Sequence, residues 1–307
     1  QIDPGRYAVY LSGPNPEYVL PVVQPGTFAG YVDVNPGYQH VSKSVNVTFI
    51  NPYEANDDTN TATTVATGET YISTLYSNTG ADKDYFALVV KNGETYVINT
   101  ETLAGNPDLK LTLIDSNGTT VIDQNDSNQS FSSDAWLSYT ANSTKTVYIL
   151  VEDASGTSSP FNVYALDIAS PLVSELGPNG SATVNGTTIS NVDTTNAQSV
   201  DLGSAVNASI DPAGDDDIFM VSLTANTTLV VDVETVNSGE PDTMLAVYDS
   251  AGNMVAFNDD FTGRESRLEF TPSADGTYYV LVTSWDGDGE DGTTGNYILS
   301  LTELVVP

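Results

Sequence analysis

Carboxylates are the side chains in this sequence with the most evident capacity for chemistry. The chain of 307 residues holds 41 Asp and Glu against 8 Lys and Arg, which gives a formal net charge of −33. Such a chain attracts cations and repels nucleic acids and anionic membrane surfaces. Charged residues make up only 16% of the chain, and the carboxylates are clustered, which argues against a pure adaptation to salt.

Catalytic chemistry finds little support in the residue types. The only histidine is His40, and a nucleophilic triad would have to join it to a distant Ser and Asp. The chain has no cysteine and contains neither G-x-S-x-G nor H-E-x-x-H. Carboxylate pairs of the kind that glycosidases use are too numerous in so acidic a chain for one to be singled out. We therefore expect a protein that is not an enzyme.

The stretch that carries many of the carboxylates occurs twice. Asp84-Tyr-Phe-Ala-Leu corresponds to Asp217-Ile-Phe-Met-Val at an offset of 133 residues. Residues 106–118 (NPDLKLTLIDSNG) correspond to residues 240–252 (EPDTMLAVYDSAG) at an offset of 134. Because solenoid repeats have periods of about 20–50 residues, so long a period indicates a duplicated domain.

Alternating apolar residues predict that strands position these carboxylates. Phe86 and Leu88 fall on one face of such a strand, and Phe219 and Val221 fall on one face in the second copy, in the same phase. Turns rich in Gly and Asn separate further runs of this kind. The sequence predicts an all-β protein of tandem antiparallel, jelly-roll-like β-sandwich domains with essentially no helix.

The chain divides into four predicted parts. Residues 1–52 form an N-terminal β segment that is too short for a core of its own, so it must pack on its neighbour or on another chain. Residues 53–170 form the first sandwich and residues 195–307 the second. Residues 171–194 are polar and rich in Gly, Ser and Thr, which predicts a linker with at most one strand.

The repeated residues resemble the bacterial pre-peptidase C-terminal domain family, in two tandem copies. The segment from Glu54 (EANDDT) resembles the family's E-P-N-D-T linker, with Ala55 in place of the usual proline. The segment Asp82-Lys-Asp84-Tyr-Phe resembles the family's D-x-D-x-[FY] strand start, and residues 249–280 resemble the C-terminal half of the domain. The family's small β-sandwich is appended to many secreted peptidases, collagenases and surface proteins.

The resemblance also implies a calcium site at the junction of linker and strand. The implied ligands in the first copy are Glu54, Asn56, Asp57, Asp82 and Asp84. Calcium takes six to eight oxygen ligands at about 2.3–2.6 Å, and carboxylate and amide groups supply them. Without a cation, carboxylates crowded together would repel one another. The alternative is an acidic linker that is simply solvated.

The second copy offers a less complete set of ligands. Asp215 and Asp217, with Asp216 between them, correspond to the strand start. The segment from Asn191 (NVDTTNA), taken as the counterpart of the linker, lacks the glutamate. The acidic loop at residues 286–291 is as consistent with a charged hairpin tip as with a cation site.

Nine Asn-X-Ser/Thr sequons permit glycosylation on a secreted surface without demonstrating it. They are Asn46, Asn117, Asn125, Asn128, Asn142, Asn179, Asn185, Asn207 and Asn226.

Two functions are compatible with these features. The first is a secreted, calcium-stabilised structural or adhesive protein, a homo-oligomeric or polymeric subunit of a cell-surface filament or layer assembled by β-strand addition. A start at Gln1 without Met favours export, and no apolar run is long enough for membrane insertion. The alternative is a set of accessory modules of a secreted peptidase or other hydrolase that bind an extracellular polymer through Tyr278 or Tyr279.

Overall fold

All secondary structure that the computed structural model of the protein describes is β-strand. The described residues are 26–32 and 41–47 (backbone only), 51, 53–77, 80–126, 134–159, 161–177, 179–185, 187–236, 241–261, 264–285 and 292–305. The predicted all-β fold is confirmed. Within these ranges there is no helix that is long and apolar enough to cross a membrane.

The first two strands form an N-terminal hairpin. β1 (Gly26–Val32) and β2 (Val41–Val47) pair in antiparallel register. Among the strands that the structure describes, neither pairs with a third. The larger part of the predicted 1–52 segment, including His40, lies outside the described residues.

Nine strands form the first unit, a two-layered sandwich. They are β3 (Thr63–Val65), β4 (Glu69–Thr74), β5 (Lys83–Val90), β6 (Thr95–Ala104), β7 (Leu109–Ile114), β8 (Val121–Asn125), β9 (Trp136–Thr140), β10 (Lys145–Asp153) and β11 (Val163–Ala169). One layer has the order β3-β5-β10-β7-β8, and the other has the order β4-β11-β6-β9. Phe86, Leu88 and Val90 are buried between the layers, in the predicted phase.

The second unit repeats this topology strand for strand. Its strands are β15 (Gln198–Ser199), β16 (Ala205–Ile210), β17 (Asp217–Leu223), β18 (Leu229–Thr235), β19 (Thr243–Asp249), β20 (Met254–Asn258), β21 (Arg267–Phe270), β22 (Gly276–Ser284) and β23 (Gly295–Leu304). One layer has the order β15-β17-β22-β19-β20. In the other, β23 lies between β16 and β18, and β18 pairs with β21. The two copies therefore share one fold.

The segment expected to be a polar linker is instead structured. It contains β12 (Leu172–Ser174), β13 (Ser181–Asn185) and β14 (Thr188–Asp193). β12 pairs in parallel with β16, while β13 and β14 form a hairpin. Ala182, Ile189 and Val192 of this hairpin pack against the buried Ile218 and its neighbours on the second unit. The apolar residues of this segment are few and are separated by polar ones. Its overall composition is therefore that of a polar linker, although the alternation along its strands buries one face.

The two units share a buried interface. β23 pairs in parallel with β4, with Glu303 opposite Glu69, so the layers from both units join in one nine-stranded sheet. Side chains from both units also bond to each other, and the Thr70 and Thr302 hydroxyls are 2.6 Å apart.

The interface has an approximate two-fold symmetry centred on two glycines. The Gly203 carbonyl accepts a hydrogen bond from Ser170 N at 2.8 Å, and the Gly68 carbonyl accepts one from Glu303 N at 2.8 Å. A Cβ atom added to Gly68 would lie 3.0 Å from the Cα of Gly203, and the reverse distance is also 3.0 Å. Equivalent residues of the two units therefore make reciprocal contacts, as at a two-fold interface between identical subunits.

Candidate metal centre

The start of β5 brings the predicted ligands of the first unit together. Asp84 alternates in phase with Phe86, so its carboxyl group points inward at the end of the sandwich. The backbone of the preceding segment lies alongside, and Tyr85 N donates to the Asn56 carbonyl at 2.8 Å. One carboxylate oxygen each from Glu54, Asp82 and Asp84 lies within 4.8 Å of the others.

These separations fit a calcium ion. Two oxygens bound to one calcium are at most about 5 Å apart, since each lies about 2.3–2.6 Å from the ion. The buried side-chain amide of Asn56 lies 2.9 Å from Asp84 Oδ1 and 3.3 Å from the Tyr53 carbonyl oxygen. If the amide nitrogen occupies this position, it donates hydrogen bonds to both of these oxygens. If the amide oxygen occupies it, that oxygen, Asp84 Oδ1 and the Tyr53 carbonyl oxygen converge as ligands do around a cation.

The electrostatics of this cluster favour neutralisation by a proton or a cation. Asp84 is fully buried, and burial followed by the charges of Asp82 and Glu54 raises its pKa well above the ordinary value. Its Oδ2 accepts hydrogen bonds from Ser73 Oγ at 3.1 Å and from the Tyr164 hydroxyl. Burial also raises the pKa of Asp82, whose buried Oδ2 has no hydrogen-bond partner among the described residues.

Asp57 differs from the other predicted ligands of the first unit. It is exposed and lies outside the group of three converging carboxylates. Its charge nonetheless contributes to the raised pKa values of Glu54 and Asp82, after the larger effect of burial. Asp57 is therefore placed at the rim of the cluster.

The second unit repeats the central carboxylate of the first. Asp217 is fully buried, and the Tyr297 hydroxyl donates to its Oδ2 at 2.5 Å, as the Tyr164 hydroxyl does to Asp84. Its other oxygen, Oδ1, has no hydrogen-bond partner in the described part of the chain. Burial, then the neighbouring charges of Glu175 and Asp215, raise the pKa of Asp217 to about 8. Asp215 itself is only partly buried.

The segment of the second unit that corresponds to the Glu54 linker of the first is not the segment predicted from the sequence. Asn191 is exposed in β14, whereas Glu175 lies against Asp217. Asn179 is buried, and its side-chain Oδ1 accepts from Ile218 N at 2.6 Å. Tyr85 N, the equivalent donor of the first unit, donates to the backbone carbonyl of Asn56. The second unit thus has the glutamate that we expected to be missing. The sequence does contain a pattern that indicates this segment. Residues 175–179 (ELGPN) have the E-P-N order of the family's linker, with two residues inserted after the glutamate.

Between Asp215 and Asp217, the side chain of Asp216 anchors the β13–β14 hairpin. Its Oδ2 accepts from Ala182 N at 2.7 Å, and its buried Oδ1 has no partner among the described residues. Burial raises the pKa of Asp216. Asp216 therefore contributes to holding the connecting segment on the second unit.

The remaining predicted sites have varied surroundings. Asn179 is 2% exposed and is hydrogen-bonded by its side-chain oxygen, so its sequon does not present a glycan acceptor in the folded protein. Five other sequon asparagines are exposed: Asn117, Asn142, Asn185, Asn207 and Asn226. Asn125 is partly buried. Asn128 and the acidic loop at residues 286–291 lie outside the described residues, and for Asn46 the backbone alone is described.

Comparison with known proteins finds a family match within the second unit. Residues 215–284 match the family model of the bacterial pre-peptidase C-terminal domain. The match begins at Asp215, includes Asp217 and ends at Ser284, the last residue of β22. The match does not extend to the first unit.

Other similarities cover parts of larger or more distant proteins. A stretch of 87 residues is 33% identical to the probable subtilase-type serine protease of Deinococcus radiodurans, covering 26% of this chain and 12% of that protease. The pre-peptidase C-terminal domain of a Bacillus anthracis collagenase aligns with a TM-score of 0.30 and 18% identity, over 34% of this chain and 94% of that domain. The secreted serine protease VesC from Vibrio cholerae aligns with a TM-score of 0.26 and 14% identity, over 73% of this chain and 51% of that protease.

Proposed function

We propose that the protein is a secreted, non-catalytic structural or adhesive protein of the cell surface, stabilised by calcium. The observation that carries this proposal is the burial of the aspartates at the starts of β5 and β17. Asp84 and Asp217 are fully buried and Asp82 is 3% exposed, each held by its own unit. A catalytic carboxylate must touch a substrate, whereas a buried one is suited to holding an ion that stabilises the fold.

The proposal treats both units as pre-peptidase C-terminal modules. The first unit has the strand order of the second, and its buried aspartate has the same tyrosine partner at an offset of 133 residues. In each unit a glutamate and an asparagine precede the strand that carries this aspartate. On this basis we assign one calcium to Glu54, Asn56, Asp82 and Asp84, and a second to Glu175, Asp215 and Asp217.

The assembly we propose is a homopolymer formed by strand addition. The hairpin of β1 and β2 pairs with no third strand among those that the structure describes, and strand addition from another chain would use an unpaired edge of this kind. A suitable acceptor is β20, an outer strand of the second unit on which Val255 and Phe257 are exposed. The net charge of −33 opposes association, so cations should promote assembly.

The family match also supports a second candidate, an accessory module of a secreted hydrolase that binds an extracellular polymer. The aromatic residues expected to form its binding surface do not support it. Tyr278 is 8% exposed and belongs to the core, while Tyr279 is partly buried against the β13–β14 hairpin. A polymer-binding surface would have to use other residues.

Negative-stain electron microscopy of the native protein distinguishes the two candidates. We expect filaments or layers in calcium, fewer in EGTA, and none after deletion of residues 1–47, which removes the hairpin of β1 and β2. Monomers at high concentration in calcium, or polymerisation that is unchanged by the deletion, would show that strand donation from this end is wrong. The melting temperature of the deleted protein is the control, because it shows that the two units remain folded.

A further inference from the structure

A second group of carboxylates lies between the two units, away from Asp84 and Asp217. One oxygen each from Glu101 of the first unit and from Asp232 and Glu234 of the second lies within 4.8 Å of the others. Each of these three residues is 2% exposed. Glu101 and Glu234 are equivalent residues, at an offset of 133. The approximate symmetry of the interface thus brings a carboxylate against its own counterpart.

Arginine alone cannot neutralise this region. Six acidic side chains interact here, all at most 8% exposed: Glu101, Asp134, Asp167, Asp232, Glu234 and Glu265. The one described basic side chain among them is Arg267, whose Nη1 lies 2.6 Å from Asp167 Oδ2 and 3.5 Å from Asp232 Oδ1. One guanidinium carries a single positive charge, and bringing several carboxyl groups together in a buried place is costly.

Burial and mutual repulsion act on the acidic side chains in the same direction. Burial, followed by the charges of neighbouring carboxylates, raises the pKa of Glu234 well above its ordinary value. Burial raises the pKa of Asp232 to about 7 despite Arg267, and that of Glu265 to about 7. A positive charge placed among these carboxyl groups would therefore be stabilised.

Two buried oxygens at the same place point to a cation. Asn99 donates through Nδ2 to Asp232, so its amide lies at the cluster, yet its Oδ1 has no hydrogen-bond partner among the described residues. Ser300 lies opposite Asp232 in the pairing of β23 with β18, which places both side chains on one face. Its buried hydroxyl likewise lacks a described partner. Oxygens left without donors are what a bound metal ion would use.

We propose that a calcium ion binds between Glu101, Asp232 and Glu234 and holds the two units together. The Asn99 amide oxygen and the Ser300 hydroxyl are its additional ligands. An all-oxygen set favours a hard cation, and the 4.8 Å limit fits oxygens at about 2.3–2.6 Å from calcium. This interface site is distinct from the sites of the proposed function, since it uses none of their residues.

Replacement of Glu234 by glutamine separates a cation from protons as the neutralising agent. Glutamine imitates the protonated glutamate, so a proton-neutralised cluster would tolerate Glu234→Gln equally well with and without calcium. With a bound ion, the variant should bind one calcium fewer per chain, and its melting temperature should rise less on addition of calcium. In EGTA above neutral pH it should be at least as stable as the original protein, because a repelling charge is gone. Glu269→Gln, an exposed change on β21, is the matched control.

Terbium luminescence locates the ion independently of stability. Trp136 lies opposite Asn99 in the pairing of β9 with β6, so a terbium ion at the interface site should be sensitised by excitation at the red edge of tryptophan absorption. We expect this emission after refolding in terbium, and its loss in Trp136→Phe and in Glu234→Gln. Trp285, on the other hand, is 41% exposed at the end of β22, and Trp285→Phe should leave the emission unchanged.

The outcomes also distinguish this site from the one at Asp84. If Asp84→Asn leaves the calcium count unchanged while Glu234→Gln lowers it, the interface site stands and the proposed site of the first unit fails. If Glu234→Gln neither lowers the calcium count nor reduces terbium emission, the interface site is wrong and the cluster is neutralised by protons.

Discussion

Asp84 and Asp217 occupy equivalent positions in the two units. Each is an inward-facing residue at the start of a strand, and each accepts a hydrogen bond from a tyrosine on the last strand of its unit, Tyr164 or Tyr297. A buried carboxylate with like charges nearby is unfavourable unless it is neutralised. The stability of each unit should therefore depend on both calcium and pH.

Asp84→Asn should remove the calcium dependence that the first unit owes to its site. A ligand that binds only the folded state at a hundredfold excess over its Kd raises the free energy of unfolding by about 2.7 kcal/mol. We expect melting curves of the original protein to shift upward when EGTA is replaced by calcium, and the shift to shrink in Asp84→Asn. Asp123→Asn, a change at an exposed residue of β8, is the control. An equal shift in both variants would contradict the assignment.

In EGTA, the protein should become less stable as the pH rises. The pKa of Asp217 is raised from 3.8 to about 8, so between these values the folded state holds a proton that the unfolded state has lost. The stabilisation is complete below the lower value and is lost as the pH rises through the higher one. Urea unfolding at several pH values should show this decline, and Asp217→Asn should reduce it. Calcium should also reduce this decline in stability with pH. A free energy of unfolding that rises with pH in EGTA would contradict the prediction.

The sequence identified the aspartates of the site but not their partners. The resemblance of Asp82-Lys-Asp84-Tyr-Phe to the family's D-x-D-x-[FY] strand start points to Asp82 and Asp84. Tyr164 was not found, because a buried tyrosine on an alternating strand has the same pattern as an ordinary core residue. Glu175 was missed because two inserted residues changed its spacing from Asn179.

Among the elements, the turns at Gly68 and Gly203 bring the two units closest together. Gly68 has φ +86°, and a Cβ atom there would be 3.0 Å from backbone of the other unit. Gly68→Ala should therefore suffer both the unfavourable φ and a contact between backbones, lowering the free energy of unfolding by about 2 kcal/mol or more. Gly93→Ala is the matched control, because Gly93 has φ +84° and no atom within 4 Å of an added Cβ. Equal losses in the two variants would show that the close approach contributes nothing.

The strands within each unit were predictable, whereas their mutual arrangement was not. Alternation at Phe86 and Phe219 indicates an inner and an outer face, and the repeat indicates that both units share one topology. The outer face of β6 carries Asn99 and Glu101, which are polar and would ordinarily be assigned to solvent. Their burial against β18 depends on contacts between distant parts of the chain, for which local patterns contain no signal.

At the scale of the whole molecule, the approximate two-fold symmetry organises the distribution of charge. Residues near such an axis meet their own equivalents, as Asn99 meets Asp232 at an offset of 133 residues. A polar pair in these positions bonds across the interface, but an acidic pair, such as Glu101 and Glu234, repels. The symmetry thus accounts for why these acidic side chains meet at the interface between the two units.

The same symmetry has a consequence for how the two units stay paired. The reciprocal hydrogen bonds of Gly68 and Gly203 have the arrangement expected of two identical subunits in a dimer. A dimer of separate chains, however, dissociates when it is diluted. Joining the modules in one polypeptide replaces that bimolecular equilibrium with an effective concentration in the millimolar range, on the order set by a short linker. The pairing of the modules is then independent of the protein concentration, and it persists at dilutions at which free subunits would separate.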